Sequence, residues 1–168
     1  TGRKPSIATE LRAAEAERVI EDGRGWSPRT KLEAYGERSE AQLFAGLESW
    51  SPVVRERSAI ELSRREGAYT RRLIRMLGHA DLDTRLGVCQ ALFHMKERGK
   101  GAVPMLRETL RAEDLWLRIK AVEALAAIGD DAMPVLPRML KMLAEGPTEN
   151  DPRGMQQRYI TFALSLIH

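Results

Sequence analysis

Three stretches decide how this chain folds: Arg55-Glu-Arg-Ser-Ala-Ile-Glu-Leu62, Arg85-Leu-Gly-Val-Cys-Gln-Ala-Leu92 and Arg118-Ile-Lys-Ala-Val-Glu-Ala-Leu125. They align without gaps on an arginine followed seven residues later by a leucine. A fourth, Gln157-Arg-Tyr-Ile-Thr-Phe-Ala-Leu164, keeps the leucine and carries glutamine in the arginine's place. The leucines stand 30, 33 and 39 residues apart. Self-similarity at that period marks a stack of supersecondary units, not a fold closed around one centre.

Working outward, each stretch is followed by a second apolar stripe: Leu73 with Leu77, Leu106 with Leu110, and Leu136 with Leu140. A spacing of i to i+4 places each pair on one helix face. Eight residues separate Leu47 from Arg55, Leu77 from Arg85 and Leu110 from Arg118, so the connections share one geometry. Ser51-Pro52 supplies an N-cap and a proline at the first helical position, and Asp81 and Asp114 are caps for the equivalent helices. Gly67, Gly99 and Gly129 stand where helices should stop, and Pro104 and Pro134 fall in the first turn of second helices, where a missing N–H is harmless. The hairpins therefore run roughly over 52–77, 83–111 and 115–143.

One such hairpin cannot bury its apolar face alone, so neighbours must stack. The fold expected is all-α: a right-handed α-solenoid of stacked antiparallel helical hairpins. Its divisions are a half-repeat at 38–50, repeats at 51–78, 79–111 and 112–143, and a partial repeat at 144–168. Residues 1–37 fit the repeat poorly; Ile7, Leu11 and the stretch 14–19 suggest one amphipathic helix, followed by a loop over 22–28, that caps the stack. Ala59, Cys89 and Val122 share one aligned position and are small because helices approach closely there; Ala91, Ala124 and Ala163 behave likewise.

The capping Asp, the Arg opening the first helix, Ala-Leu one helical face later, Gly at the turn, and Val103-Pro104 or Met133-Pro134 opening the second helix resemble HEAT repeats. The likeness extends to the short HEAT-like kind of phycobilisome-lyase-type proteins and covers about residues 38–168. It implies an armadillo-like fold and a scaffold, with some pigment-attachment chaperones and rare enzymes in the same family. Iron-binding HEAT-fold hydroxylases carry repeated His-Glu dipeptides. His79, His94 and His168 all lack a following Glu, so that branch is disfavoured.

Composition bounds the function. Of 168 residues, 43% are apolar and 30% charged, the make-up of a soluble, helix-rich protein. No apolar run reaches the roughly 20 residues that cross a bilayer. One cysteine, Cys89, excludes a disulfide framework and leaves the compartment open. The chain starts at Thr1 and stops at His168 within an apolar helical pattern, so it is read as a piece of a larger, bacterial-type protein. The net charge of +3 is unevenly spread: residues 53–120 carry 15 basic against 9 acidic side chains. A basic middle invites an acidic partner.

Motifs for catalysis are missing: there is no Gly-x-Gly-x-x-Gly, no phosphate-binding Gly-Lys-Ser or Gly-Lys-Thr, and no His-Glu-x-x-His. No catalytic residue, metal or cofactor is assigned. Cys89 in a small-residue column reads as packing, and Arg55, Arg85 and Arg118 as ties between repeats through the i to i+4 partners Asp81 and Asp114. The binding residues expected are on the second helices, which line the concave face in this fold: Arg71, Arg75, Arg107, Arg111, Arg138 and Lys141. Trp116 is read as a contact aromatic or an inter-repeat filler, and the insertion at 145–154 presents Asn150 and Arg153. The expected function is a non-catalytic interaction scaffold for another protein or a neighbouring domain. Phosphate-backbone binding of nucleic acid is the first alternative, and an accessory part of an enzyme the second. Tyr159, Phe162 and Leu166 suggest self-association through the C-terminal end.

Overall fold

The computed structural model describes residues 35–167, all of whose regular structure is helical. The helix and loop expected over 7–28 lie outside these residues. From residue 40 on, eight α-helices follow one another among the described residues: α1 Glu40–Leu47, α2 Pro52–Arg64, α3 Thr70–Leu77, α4 Leu82–Met95, α5 Val103–Thr109, α6 Leu115–Ile128, α7 Leu136–Ala144 and α8 Met155–Leu164. Two 3₁₀ segments, Lys96–Ala102 and Gly129–Val135, lead into α5 and α7.

Helix starts follow from side-chain chemistry. Ser39 and Gln42 form a reciprocal capping box on α1. Asp81 accepts from the Thr84 N–H at 2.8 Å, and Asp114 from the Leu117 N–H at 2.7 Å. Helix α2 is entered through Pro52 at its first position, with Ser51 making no side-chain cap. The fourth start differs: Asp151, buried at 3% exposure, accepts from the N–H groups of Met155 and Gln156, both at 2.8 Å.

One of the expected stops is corrected. Helix α4 ends at Met95, and Lys96 adopts φ +52°; Gly99 lies inside the following 3₁₀ segment. Gly99 serves packing: a Cβ there would meet Leu92 Cδ2 at 3.2 Å. Gly129, at φ +80°, does end α6 as expected. Pro134 lies in the 3₁₀ segment, and Pro137 occupies the first turn of α7.

The first helices α2, α4, α6 and α8 pack side by side, while each second helix leans on the first helix of the next unit, α3 on α4, α5 on α6 and α7 on α8. The core is one continuous cluster running along this array. Leu62, Leu92 and Leu125 are fully buried, and each contributes about 2 kcal/mol of burial. Ala59, Cys89, Ala91, Ala124, Val122 and Ala163 are all at most 1% exposed, as close helix approach requires. Leu136 and Leu140 were expected to form the inward stripe of α7, but Leu140 is 53% exposed and the inward residues are Met139 and Met142. The true register adds 33 to Leu106 and Leu110 and lands on Met139 and Leu143. Methionine fills a leucine site with little loss because it is unbranched and pliable.

Candidate functional site: the second-helix cations and the edge beside them

Cations project from three successive second helices. On α3, Arg71 and Arg75 are exposed; on α5 Arg107 is exposed; on α7 Lys141 is exposed. None of these four makes an ion pair among the described residues. The other two expected residues are partly engaged. Arg111 donates from Nη1 to Glu108 at 2.6 Å, and Arg138 Nη1 stands 3.8 Å from Glu145 Oε1. Arg138 and Arg111 line one cleft together with Arg118. In the 33-residue register Arg75 aligns with Glu108 and Lys141, so one acidic side chain interrupts that column.

Arg72, which sequence reasoning passed over, stacks on the Phe44 ring at 3.6 Å and lies 3.8 Å from Glu40. Its neighbour in sequence at the ring is Tyr69, whose own ring meets Phe44 edge-on at 5.6 Å. The aromatic-cation pair was hidden because Phe44 lies on a different helix, 28 residues earlier.

Trp116 is 52% exposed near the start of α6, with Val53 at 52% and Leu82 at 39% at the starts of α2 and α4. It does not fill space between repeats. Asn150 and Arg153 are exposed on the 145–154 loop. That loop is held by the buried Asp151 and by Gln157, whose Nε2 donates to the Gly146 carbonyl at 2.5 Å.

Two of the three column arginines, Arg55 and Arg118, bind repeats together, though not through the expected pairs. Asp81 and Asp114 are occupied as helix caps. Instead Arg55 donates to the Ser49 carbonyl at 2.7 Å and to Asp83 of the next unit at 2.6 Å. Arg118 donates to the carbonyls of Ala112 and Glu113 at 2.7 and 2.8 Å and to Gln156 at 2.6 Å. From the 96–101 turn, Arg98 adds a further tie, donating to the carbonyls of Ser63, Arg65 and Gly67 at the end of α2.

Other reactive groups are engaged singly. His79 Nδ1 accepts from the Asp81 N–H at 3.1 Å, and His94 Nε2 contacts Glu56 at 2.6 Å; His168 lies outside the described residues. The Cys89 thiol is fully buried, and burial pushes its pKa up to about 12, which keeps it protonated and unreactive. Among the described residues there is no cluster of three or more His, Cys, Asp or Glu able to hold a metal ion, and no helix long and apolar enough to cross a membrane.

Comparison with protein-family models matches residues 70–151 to HEAT repeats. The likeness to phycobilisome-lyase-type proteins is not part of that match. No curated protein matches the chain. The repeated helix pairs, the ties between them and the family match agree: residues 70–151 are HEAT repeats, and the described residues form an all-α solenoid around them.

Proposed function

We propose that this chain is a non-catalytic docking module whose second-helix row holds an acidic segment of another protein or of a neighbouring domain. HEAT repeats are generally protein-interaction scaffolds. The observation that carries the reading here is the set of Arg71, Arg75, Arg107 and Lys141, exposed on successive second helices and without ion-pair partners among the described residues. A surface ion pair is worth little singly, and several cations held on a rigid scaffold gain by acting together on one extended chain. In this arrangement residues 51–78, 79–111 and 112–143 are the contact units. The 145–154 loop, with Asn150 and Arg153, and Trp116 flank them.

The test is titration of a fluorescent peptide rich in Asp and Glu against the full chain at several salt concentrations. Binding that weakens with salt, and at least tenfold when Arg71, Arg75, Arg107 and Lys141 are replaced together by Gln, is the expected result. Absence of binding at low salt overturns the reading. Duplex DNA in the same assay is the contrast. A phosphate-backbone binder loses affinity with a log–log salt slope near −0.9 per phosphate contacted, and a slope of about −4 would assign the row to nucleic acid instead.

The outer face of α8 adds a second contact of this module. Phe162 is 62% and Leu166 44% exposed, whereas Tyr159 packs against the core. We infer self-association through this face; light scattering should show a dimer at high concentration that Phe162→Asp reduces to monomer. A monomer at every concentration removes it.

A further inference from the structure

We propose that the cleft at the end of α5, beside α6 and α7, takes a phosphate group with two negative charges carried by the docked polypeptide. This rests on the docking reading above and names the group that the edge of the row would recognise.

The cleft has a volume of about 250 Å³. Arg111, Arg118 and Arg138 line it against a single carboxylate, Glu145. With Glu108, which pairs with Arg111 from outside the cleft, two carboxylates face three guanidinium groups; one positive charge is uncompensated, and a second is exposed when an anion displaces Glu108 from Arg111. A phosphate monoester above its second pKa, about 6, carries two negative charges and three acceptor oxygens. Guanidinium forks match such oxygens in geometry as well as charge.

The three arginines are held differently, and the differences suit an anion site. Arg118 is fixed: its Nε and Nη1 are bound by Gln156, Ala112 and Glu113, so its charge stays at the cleft without further ordering. Arg138 is loosely held: its Nε is buried without a hydrogen-bond partner, and Glu145 stands 3.8 Å from Nη1, beyond hydrogen-bond range. A buried unpaired donor costs about 1–3 kcal/mol, which an accepting oxygen would recover. Arg111 is paired at 2.6 Å with Glu108 on an exposed surface, a bond that yields readily to a doubly charged competitor. Thr148 also lines the cleft, and Leu110 and Met142 supply an apolar wall.

A single cleft distinguishes this from a nucleic-acid track. Backbone binding needs phosphate contacts repeated along the array, and here Glu108 stands in the aligned column between Arg75 and Lys141. The chemistry therefore fits one phosphate on a protein segment, with the row of free cations engaging acidic residues beside it.

The experiment uses the full chain and two peptides of one acidic sequence, unphosphorylated and carrying one phosphoserine, with inorganic phosphate and chloride at matched ionic strength as small probes. The expected result is at least tenfold tighter binding of the phosphopeptide, growing between pH 5.5 and 7.5 as the second proton leaves, and competition by inorganic phosphate but not by chloride. Arg138→Gln should abolish that preference, so that the two peptides bind alike. Arg138→Lys should retain part of it, and an unchanged thermal midpoint verifies that both variants fold. Equal affinity for the two peptides, or a preference that survives Arg138→Gln, overturns the phosphate site and leaves the docking row standing. Failure of both peptides to bind overturns the docking row and the phosphate site with it. Tighter binding of an oligonucleotide, rising with its length, overturns the phosphopeptide assignment in favour of nucleic acid.

Discussion

Arg55 donates to the Ser49 carbonyl and to Asp83, and Arg118 to two carbonyls and Gln156, while the side chain of Arg85, at the same place in the repeat, makes no hydrogen bond among the described residues. A recurring residue type therefore does not imply a recurring contribution. Hydrogen bonds to a charged donor are worth about 1.5–3 kcal/mol each where partly buried, and Arg118→Ala should cost about 3 kcal/mol in urea unfolding. Arg85→Ala should cost about 1 kcal/mol or less, through lost stem packing. Equal losses at the two sites would show that the column acts through packing alone. The turn after α4 has a different lesson. Lys96 adopts φ +52°, ψ −135°, close to the φ +80°, ψ −137° of Gly129, its equivalent 33 residues later. A lysine pays strain there that glycine does not, so Lys96→Gly should raise stability by about 1 kcal/mol, against the usual sign of a glycine substitution. That position was legible in the sequence only through the 33-residue register. Read for glycine content alone, the stop falls on Gly99, which is small because Leu92 packs against it.

At the scale of helices, the first-helix row was readable because α4 and α6 begin with the same aspartate cap and α2, α4 and α6 bury the same columns. The second helices were less so. Helix α7 offers leucines at 136, 140 and 143 and methionines at 139 and 142, and apolarity alone does not decide which of them face inward. Two contacts between helices make sharper predictions. Gly87 on α4 lies against the Leu47 carbonyl at the end of α1, and a Cβ there would come within 2.1 Å of that oxygen. Helix propensity favours alanine over glycine by about 1 kcal/mol, but the contact is with backbone that cannot rotate away. Gly87→Ala should destabilise by about 3 kcal/mol, and a stabilised variant would mean that α1 is free to move. Glu56 on α2 accepts from Gln90 at 2.7 Å and contacts His94 at 2.6 Å, both on α4. The hydrogen bond from His94, aided by its charge and by Gln90 and opposed by burial, lowers the Glu56 pKa from its ordinary 4.5. A carboxylate with a lowered folded value stabilises above its unfolded pKa, and that contribution fades as pH falls from 4.5 through the folded value. Glu56→Gln should flatten the fall in stability below that pH and leave the neutral range nearly unchanged. An identical acid limb in the variant would show that the α2–α4 tie does not depend on this charge.

Over the whole molecule, the site was less legible than the fold. Six cations on second helices are visible by counting, but their state depends on partners far apart in sequence. Glu145 reaches Arg138 from the loop after α7, and Gln156 reaches Arg118 from 38 residues away. The array's one-dimensional build also decides where it gives way. Helices α4 and α6 are each flanked by first helices on both sides, whereas among the described residues α8 leans only on α6 and α7. In a linear stack, stability is a sum of units and of interfaces between neighbours, so a unit with one interface opens before a unit with two. Leu125, fully buried in α6, and Ile160, fully buried in α8, are suitable probes. Truncation of either to alanine removes about 2–5 kcal/mol of packing, but the losses should register differently in native-state hydrogen exchange. Leu125→Ala should lower protection from α2 to α8 together, because it weakens the interfaces on which both halves depend. Ile160→Ala should raise exchange in α8 and the end of α7 and leave α2 and α4 at the wild-type rate. Uniform loss of protection from both substitutions would mean that the chain opens as one cooperative body, with the interface terms larger than any unit's own deficit.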